Sequence, residues 1–226
     1  MQKNQVIIVA AGRGSRMGIE VPKQFLLLGD KPVLLHSMEA FHEFNPDIKM
    51  VIVLPEDYML EWENIRIKYN ITIDHQVVAG GASRFQSVSN GLDLIDDEGL
   101  VGIHDGARPL IKASTIRLLF EAADKKNNAI PYNLPTDSVR LERKNTSVII
   151  DRSSIRMIQT PQVFDTKMLK QAYQQGQGYK QNEQSSFTDD ASVFEKAGGK
   201  VHLVECDAGN LKITREGDLR VAEGLL

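Results

Sequence analysis

Apolar residues along the chain fall into short unbroken runs, separated by stretches in which they recur every three or four positions. The run Val6 to Val9 is β-branched throughout, the pattern of a strand buried on both faces of a parallel sheet. Ile48 to Leu54 repeats it before Pro55, and Gly99 to His104 does so again. Pro32 to Phe44 has helical spacing, with Pro32 suited to a first turn. Tyr58 to Tyr69 and Ala82 to Leu94 read as further helices, and Thr72 to Val78 as a strand. Ser114 to Lys125 predicts a helix capped near Ala113 or Ser114, and Ala129 to Tyr132 a short strand. Strand and helix in alternation predict an α/β fold with a mostly parallel central sheet.

The alternation breaks between Asn133 and Arg152. Two β-favouring runs, Ser138 to Leu141 and Ser147 to Ile150, flank the polar segment Glu142 to Thr146 without helical periodicity. This predicts a protruding β-arm at about 133–152. A lone two-stranded arm is marginally stable, so it should rest on the body or on a second subunit. Beyond it, Thr166 to Gln174 reads as a helix and the polar segment Gln175 to Ser186 as a mobile loop. Thr188-Asp189-Asp190 supplies a cap and first-turn acids for a helix through Ala197, ended by Gly198-Gly199. Lys200 to Glu205 predicts a last strand and Gly217 to Leu226 a closing helix. No repeat or linker divides residues 1–226, which predicts a single domain.

The first strand stops at small residues. Ala10, Ala11, Gly12 and Gly14 let a ligand approach main-chain N–H groups closely, and the fixed cations Arg13, Arg16 and Lys23 follow. The loop is not a dinucleotide fingerprint, because Met17 occupies the third glycine position. Nor is it a Walker A loop, because the spacing and the Lys-Ser/Thr pair are missing.

Composition narrows the partners. The chain has 226 residues, 42% hydrophobic and 25% charged, with a net charge of −3, so no basic surface points to nucleic acid or a polybasic membrane contact. An anion site must be built locally. Cys206 is the only cysteine, which excludes an internal disulfide and a thiolate zinc cluster. The amino terminus, MQKNQ, has no long apolar core, and no apolar run nears the roughly 18 residues of a membrane span, so a cytoplasmic protein is expected.

The polar residues at strand ends are Arg13, Arg16, Lys23, Asp105, Arg108, Arg152, Thr160, Thr188, Asp189 and Lys212. No Ser-His-Asp arrangement can be assembled, and His104 reads as structural. Cations with an acid suit phosphoryl or nucleotidyl transfer, in which positioning and charge stabilisation supply the rate.

AAGRGSRMG followed by PKQF, then GGASRFQSV, HDGARP, TPQVF, FTDDAS and GNLKITREGDL, resembles the successive signatures of the 2-C-methyl-D-erythritol 4-phosphate cytidylyltransferases, in order and spacing from Val6 to Leu219. The resemblance implies a Rossmann-like nucleotidyltransferase fold, a homodimer formed through the β-arm, and Mg²⁺-dependent reaction of CTP with a polyol phosphate. It assigns Arg16, Lys23 and Lys212 to charge stabilisation at the α-phosphate and the leaving pyrophosphate, with Ala10 to Gly14 beside them. Ala11, Gly12, Gly81 and Ala82 would read cytosine through the main chain, and Ser87 through its hydroxyl. Asp105 would serve the second substrate or Mg²⁺. Arg152, Thr160 and Thr188 would line the polyol phosphate site, while Arg108 and Ser138 would reach a neighbour's substrate across the dimer. Two departures stand out: Ala82 where many relatives carry an acid, and Ser138 where threonine is usual.

Other readings remain open at this level. Ribitol 5-phosphate cytidylyltransferases share the glycine loop, PKQ and the carboxy-terminal lysine signature. A nucleotide-binding regulator would keep the base slot and discard the cations. An NAD-dependent oxidoreductase would need a ribose-binding acid about 20 residues past the glycine loop, where Asp30 instead looks like a turn residue.

Overall fold

A computed structural model describes residues 3–12, 22–184 and 186–226. Its frame is a mixed eight-stranded sheet between two helical layers. The parallel core consists of β5 (Gln76–Ala79), β4 (Lys49–Leu54), β1 (Asn4–Val9) and β6 (Leu100–Asp105), in that order. β1 pairs with β4 from Gln5 opposite Lys49 to Val9 opposite Val53, and with β6 from Asn4 opposite Leu100 to Val9 opposite Asp105. This register brings the turn after β1 alongside Asp105.

Alternation along β1 explains the layers. Val6 and Ile8 join a core containing Leu34 and Phe41 of α1 (Val33–Phe44), Trp62 of α2 (Met59–Lys68) and Phe120 of α4 (Ala113–Lys126). Ile7 points to the other face, among Val88 of α3 (Arg84–Leu92), Leu169 and Tyr173 of α5 (Thr166–Gln177), and Phe194 of α7 (Asp190–Lys196). Both faces of the strand are therefore dry, which is why its sequence is a continuous β-branched run.

The sheet is less uniformly parallel than the sequence predicts. β11 (Gln162–Asp165) enters antiparallel between β6 and β7 (Asn128–Asn133), and β10 (Met157–Ile158) also pairs antiparallel with β7. Neither strand is visible as a sequence pattern, since two and four residues show no period and an antiparallel insertion is fixed by distant partners. β12 (Leu203–Glu205) lies parallel along β7. A small ribbon of β2 (Leu27–Leu28) and β3 (Lys31–Pro32) packs under α8 (Glu216–Glu223), where Leu28, Val33, Ile213 and Ala222 form a separate cluster.

The arm is present as β8 (Val139–Arg143) and β9 (Thr146–Ile150), paired with each other and turned at Lys144-Asn145, a tighter turn than the predicted Glu142 to Thr146. Leu141, Val148 and Ile149 on it are exposed. Other boundaries move for local reasons. β5 begins only at Gln76, and α5 runs through Gln177. The expected loop after α5 contains α6 (Gln181–Gln184). α4 has Lys112 at its N-cap with no side-chain cap, rather than Ala113 or Ser114. Asp189, not Thr188, caps α7: its carboxylate accepts from the Ser192 N–H while Ser192 Oγ accepts from the Asp189 N–H. No helix among the described residues is long and apolar enough to cross a membrane.

Candidate active site

In open α/β sheets ligands collect beyond the carboxyl ends of the strands. Here the ends of β1, β5 and β6 converge on an open cleft of about 320 Å³, lined also by Lys23 and Lys212. The glycines make the convergence possible. A Cβ on Gly80 would stand 2.4 Å from the Ala11 Cβ and 3.1 Å from Ser87 Oγ, so only a hydrogen lets β5 end this close to the first loop. A Cβ on Gly106 would lie 2.9 Å from that of Ala10.

Of the residues expected at a nucleotide site, Ala10, Ala11, Gly12, Gly81, Ala82 and Ser87 all line this cleft. Arg13, Gly14 and Arg16 lie outside the described residues. Ala10 forms wall rather than donor, because its N–H extends the ladder to Val53 O at 2.8 Å and its carbonyl accepts from buried Gln24 at 2.6 Å. Ser83 starts α3 by accepting from the Gln86 N–H at 3.1 Å. The Ser87 hydroxyl donates to Ser83 O at 2.8 Å and accepts from the Gly81 N–H at 3.1 Å, which leaves one lone pair for a ligand donor. The Ala82 N–H donates to the Gln86 side chain at 3.1 Å, an exposed bond that a ligand can exchange.

Lys23 and Lys212 meet through one residue between them. Lys23 opens a 3₁₀ turn, Lys23–Phe25, braced by Gln24 and by Phe25 stacked on Trp62 at 6.1 Å and 17°. Its Nζ donates to Ile213 O at 3.0 Å. Ile213 is fully buried, and its own N–H donates to Ala107 O at 2.8 Å. That pin fixes the neighbouring Lys212, whose Nζ lies 2.8 Å from Asp105 Oδ2. The segment after it is held by Asp218, whose carboxylate accepts from the Thr214 N–H at 2.7 Å and the Arg215 N–H at 2.8 Å.

Asp105 is the electrostatic centre. Burial pushes its carboxyl pKa up, but Lys212, Arg84 and Arg108 outweigh that and hold it well below the usual carboxylate range. Beside it, burial pushes His104 down to about 4. That ring, packed edge-on against Phe41 and bonded to Thr160 Oγ1 and Arg108 O, is neutral near pH 7 and structural, as expected. Among the described residues no group of three or more His, Cys, Asp or Glu side chains could hold a metal ion. A single ionised carboxylate in an anion pocket suits Mg²⁺, which keeps waters and takes further oxygens from substrate phosphate.

The residues assigned to the second substrate are placed differently. Thr160 is buried and points at Asp105, accepting its N–H at 3.0 Å, so its hydroxyl is engaged there and with His104 rather than facing the cleft. Arg108, expected to reach a neighbour, is turned inward instead. Its Nε lies 3.3 Å from Asp105 Oδ2, and its Nη1 donates to Asn210 O at 2.9 Å. Arg152 donates to Thr136 O at the base of the arm, and Ser138 and Thr188 are exposed. None of these five lines the cleft.

Sequence reasoning missed Arg84, Asp190 and Tyr173. Arg84 lines the cleft and forms a two-pronged bridge to buried Asp190, at 2.9 and 2.6 Å. The Tyr173 hydroxyl donates to the same carboxylate at 2.7 Å. The available signal was opposite charge in two separated motifs, Arg84 in GGASRFQSV and Asp190 in FTDDAS.

Comparison with known proteins gives the family. Residues 5–226 match the model of the family described as 2-C-methyl-D-erythritol 4-phosphate cytidylyltransferase. The protein of that name from Bacteroides thetaiotaomicron is 42% identical over 224 residues, covering 99% of this chain and 100% of the relative. The crystal structure of 4-diphosphocytidyl-2C-methyl-D-erythritol synthase from Anaerococcus prevotii superposes with a TM-score of 0.83 at 25% identity, covering 99% and 98% of the two chains. That of 2-C-methyl-D-erythritol 4-phosphate cytidylyltransferase from Thermus thermophilus gives 0.79 at 27% identity, covering 100% and 98%. With a glycine-walled cleft, two lysines from opposite ends of the sequence and a full-length match, the chain belongs to the 2-C-methyl-D-erythritol 4-phosphate cytidylyltransferase family.

Proposed function

We propose that this protein transfers the cytidylyl group of CTP to 2-C-methyl-D-erythritol 4-phosphate, giving CDP-methylerythritol and pyrophosphate as a step of isoprenoid precursor synthesis. The observation that carries the reading is the cleft lined by Lys23 and Lys212, with Lys212 2.8 Å from the ionised Asp105, in a chain of this family. An oxygen of the acceptor phosphate attacks the α-phosphorus of CTP, and the bond from that phosphorus to the bridging oxygen of the β-phosphate breaks. The nucleophile is already an anion, so no general base is needed. This accords with a cleft that has His104 sealed beneath it.

Charge grows on the α-phosphate and on the departing pyrophosphate, and Lys23 is positioned by its turn before substrate arrives. Such fixed cations lower the barrier without reorganising during reaction. Arg16 joins this set by the family pattern. Lys212 supports the α-phosphate once it leaves Asp105. Asp105 would hold Mg²⁺ together with phosphate oxygens, and the ion would neutralise charge on the triphosphate. The walls at Ala11, Gly12, Gly81 and Ala82, with Ser87, form a slot for a pyrimidine. Arg152 and Thr188, which lie outside the cleft, join the polyol phosphate site by the family pattern alone.

The test is pyrophosphate release from CTP with Mg²⁺, offered 2-C-methyl-D-erythritol 4-phosphate or ribitol 5-phosphate. The expected result is turnover with the first about 100-fold above the second, the scale on which a pocket rejects an analogue that adds a hydroxyl and lacks a methyl group. Preference for ribitol 5-phosphate reassigns the acceptor, and CTP binding without release in either case makes the protein a nucleotide sensor.

We also read residues 1–226 as one cytoplasmic catalytic domain that dimerises through the arm. The exposed Leu141, Val148 and Ile149 on β8 and β9 support this, because a hairpin paired only with itself gains stability by docking. Ser138 at its base would then meet the partner's site. Sedimentation at micromolar concentration should give the mass of two chains, and a monomer would remove the shared-site proposal.

A further inference from the structure

Asp105 makes three cation contacts of different permanence. Lys212 is nearest at 2.8 Å, but its side chain is 42% exposed on a long, flexible stem, against 12% for Asp105 itself. If Lys212 serves the α-phosphate, as the proposed function requires, it must let go of Asp105. The carboxylate then keeps Arg108 at 3.3 Å on Oδ2 and Arg84 at 4.0 Å on Oδ1. Arg84 is the contact on the opposite oxygen, and it is held from behind.

That hold is unusually complete. Both outer nitrogens of Arg84 donate to Asp190, which is wholly buried, and the buried Tyr173 hydroxyl completes the same carboxylate. A planar fork against a carboxylate fixes direction as well as charge. The rear carboxylate is fixed in turn, because buried Gln162 ties down the start of α7. Its side chain donates to Asp189 Oδ2 at 2.8 Å and accepts from the Ala191 N–H at 2.8 Å. Gln162 opens β11, two residues beyond Thr160, which accepts the Asp105 N–H. Hydrogen bonds therefore run from the Asp105 backbone through β11 and α7 to Arg84 and back toward the Asp105 side chain.

We propose that Arg84, clamped by Asp190 and Tyr173, is a positioning residue for the transfer reaction: it keeps the Asp105 carboxylate aimed into the cleft when Lys212 moves onto substrate phosphate. The proposal rests on the cytidylyltransferase reading. Its consequence is a loss in turnover rather than in nucleotide capture, because the cleft and its lysines hold CTP whichever way Asp105 points, whereas the aim of its carboxylate matters to the charge that develops during transfer. Losing an outer contact of this kind lowers activity by about 10- to 100-fold. Arg84→Lys keeps the charge and loses the fork, so kcat should fall within that range while the KM for CTP stays within about threefold. Tyr173→Phe removes one hydrogen bond behind the fork, keeps the ring stack on Phe85 and should lower kcat several-fold.

The experiment measures kcat and KM for wild type, R84K, Y173F and the double variant, normalised to active sites by CTP binding, with thermal unfolding of the same samples. Because both changes act through one clamp, the double variant should be no slower than R84K alone, a coupling that independent structural damage does not produce. R84K at wild-type kcat, or a double loss equal to the product of the single losses, overturns the proposal. Should R84K fail to fold, Y173F decides alone: kcat unchanged overturns the clamp and a several-fold fall supports it. An inert wild type instead removes the cytidylyltransferase reading, and the positioning role with it.

Discussion

Lys23→Ala is expected to lower kcat by at least about 100-fold, the scale for removing one preorganised charge stabiliser, with a smaller change in the KM for CTP. The lysine is prepared in advance. Gln24 is tied to Ala10 O, Phe25 is stacked on Trp62, and the ammonium is directed by Ile213 O, so its position does not wait for substrate. An interaction that strengthens as charge develops appears in turnover, whereas one of equal strength throughout appears in binding. Steady-state kinetics of the folded variant check this, and a kcat close to wild type would remove Lys23 from the reaction.

Asp105→Asn should lose activity on a similar scale and show a second signature in stability. The change leaves Lys212, Arg84 and Arg108 facing a neutral amide, and breaking a buried ion cluster costs about 3 kcal/mol. The pH dependence follows from the depressed carboxyl pKa. The carboxylate contribution is complete above the unfolded value of about 4 and is lost as pH falls through the lower folded value. Denaturant unfolding should therefore find a constant gap between wild type and D105N at neutral pH, closing only as the medium becomes strongly acidic. A gap that instead opened toward acid would mean that the carboxyl is protonated in the native protein.

The sequence made the core and the first loop readable because both are local. Four β-branched residues followed by Ala-Ala-Gly state a buried strand and a bare turn without reference to anything distant. The arm was equally legible, since loss of helical period is a local fact. β11 was not, because its direction is decided by Ile103 and Ala129 far away in the chain. Lys212 could be placed only through a family signature, since Ile213, which anchors it, reads as one apolar residue in a polar tail. Arg84 and Asp190 are 106 positions apart, and each alone resembles an ordinary charge near a helix start. Thr160 and Arg108 could be named from the sequence, but not the turn of their side chains toward the Asp105 N–H and the Asp105 carboxylate, which the fold decides.

The bond from Lys23 to Ile213 spans 190 positions. During synthesis the lysine emerges long before its acceptor, so this contact waits until residue 213 has left the ribosome. By this pairing the proposed activity is withheld from any nascent chain too short to contain residue 213.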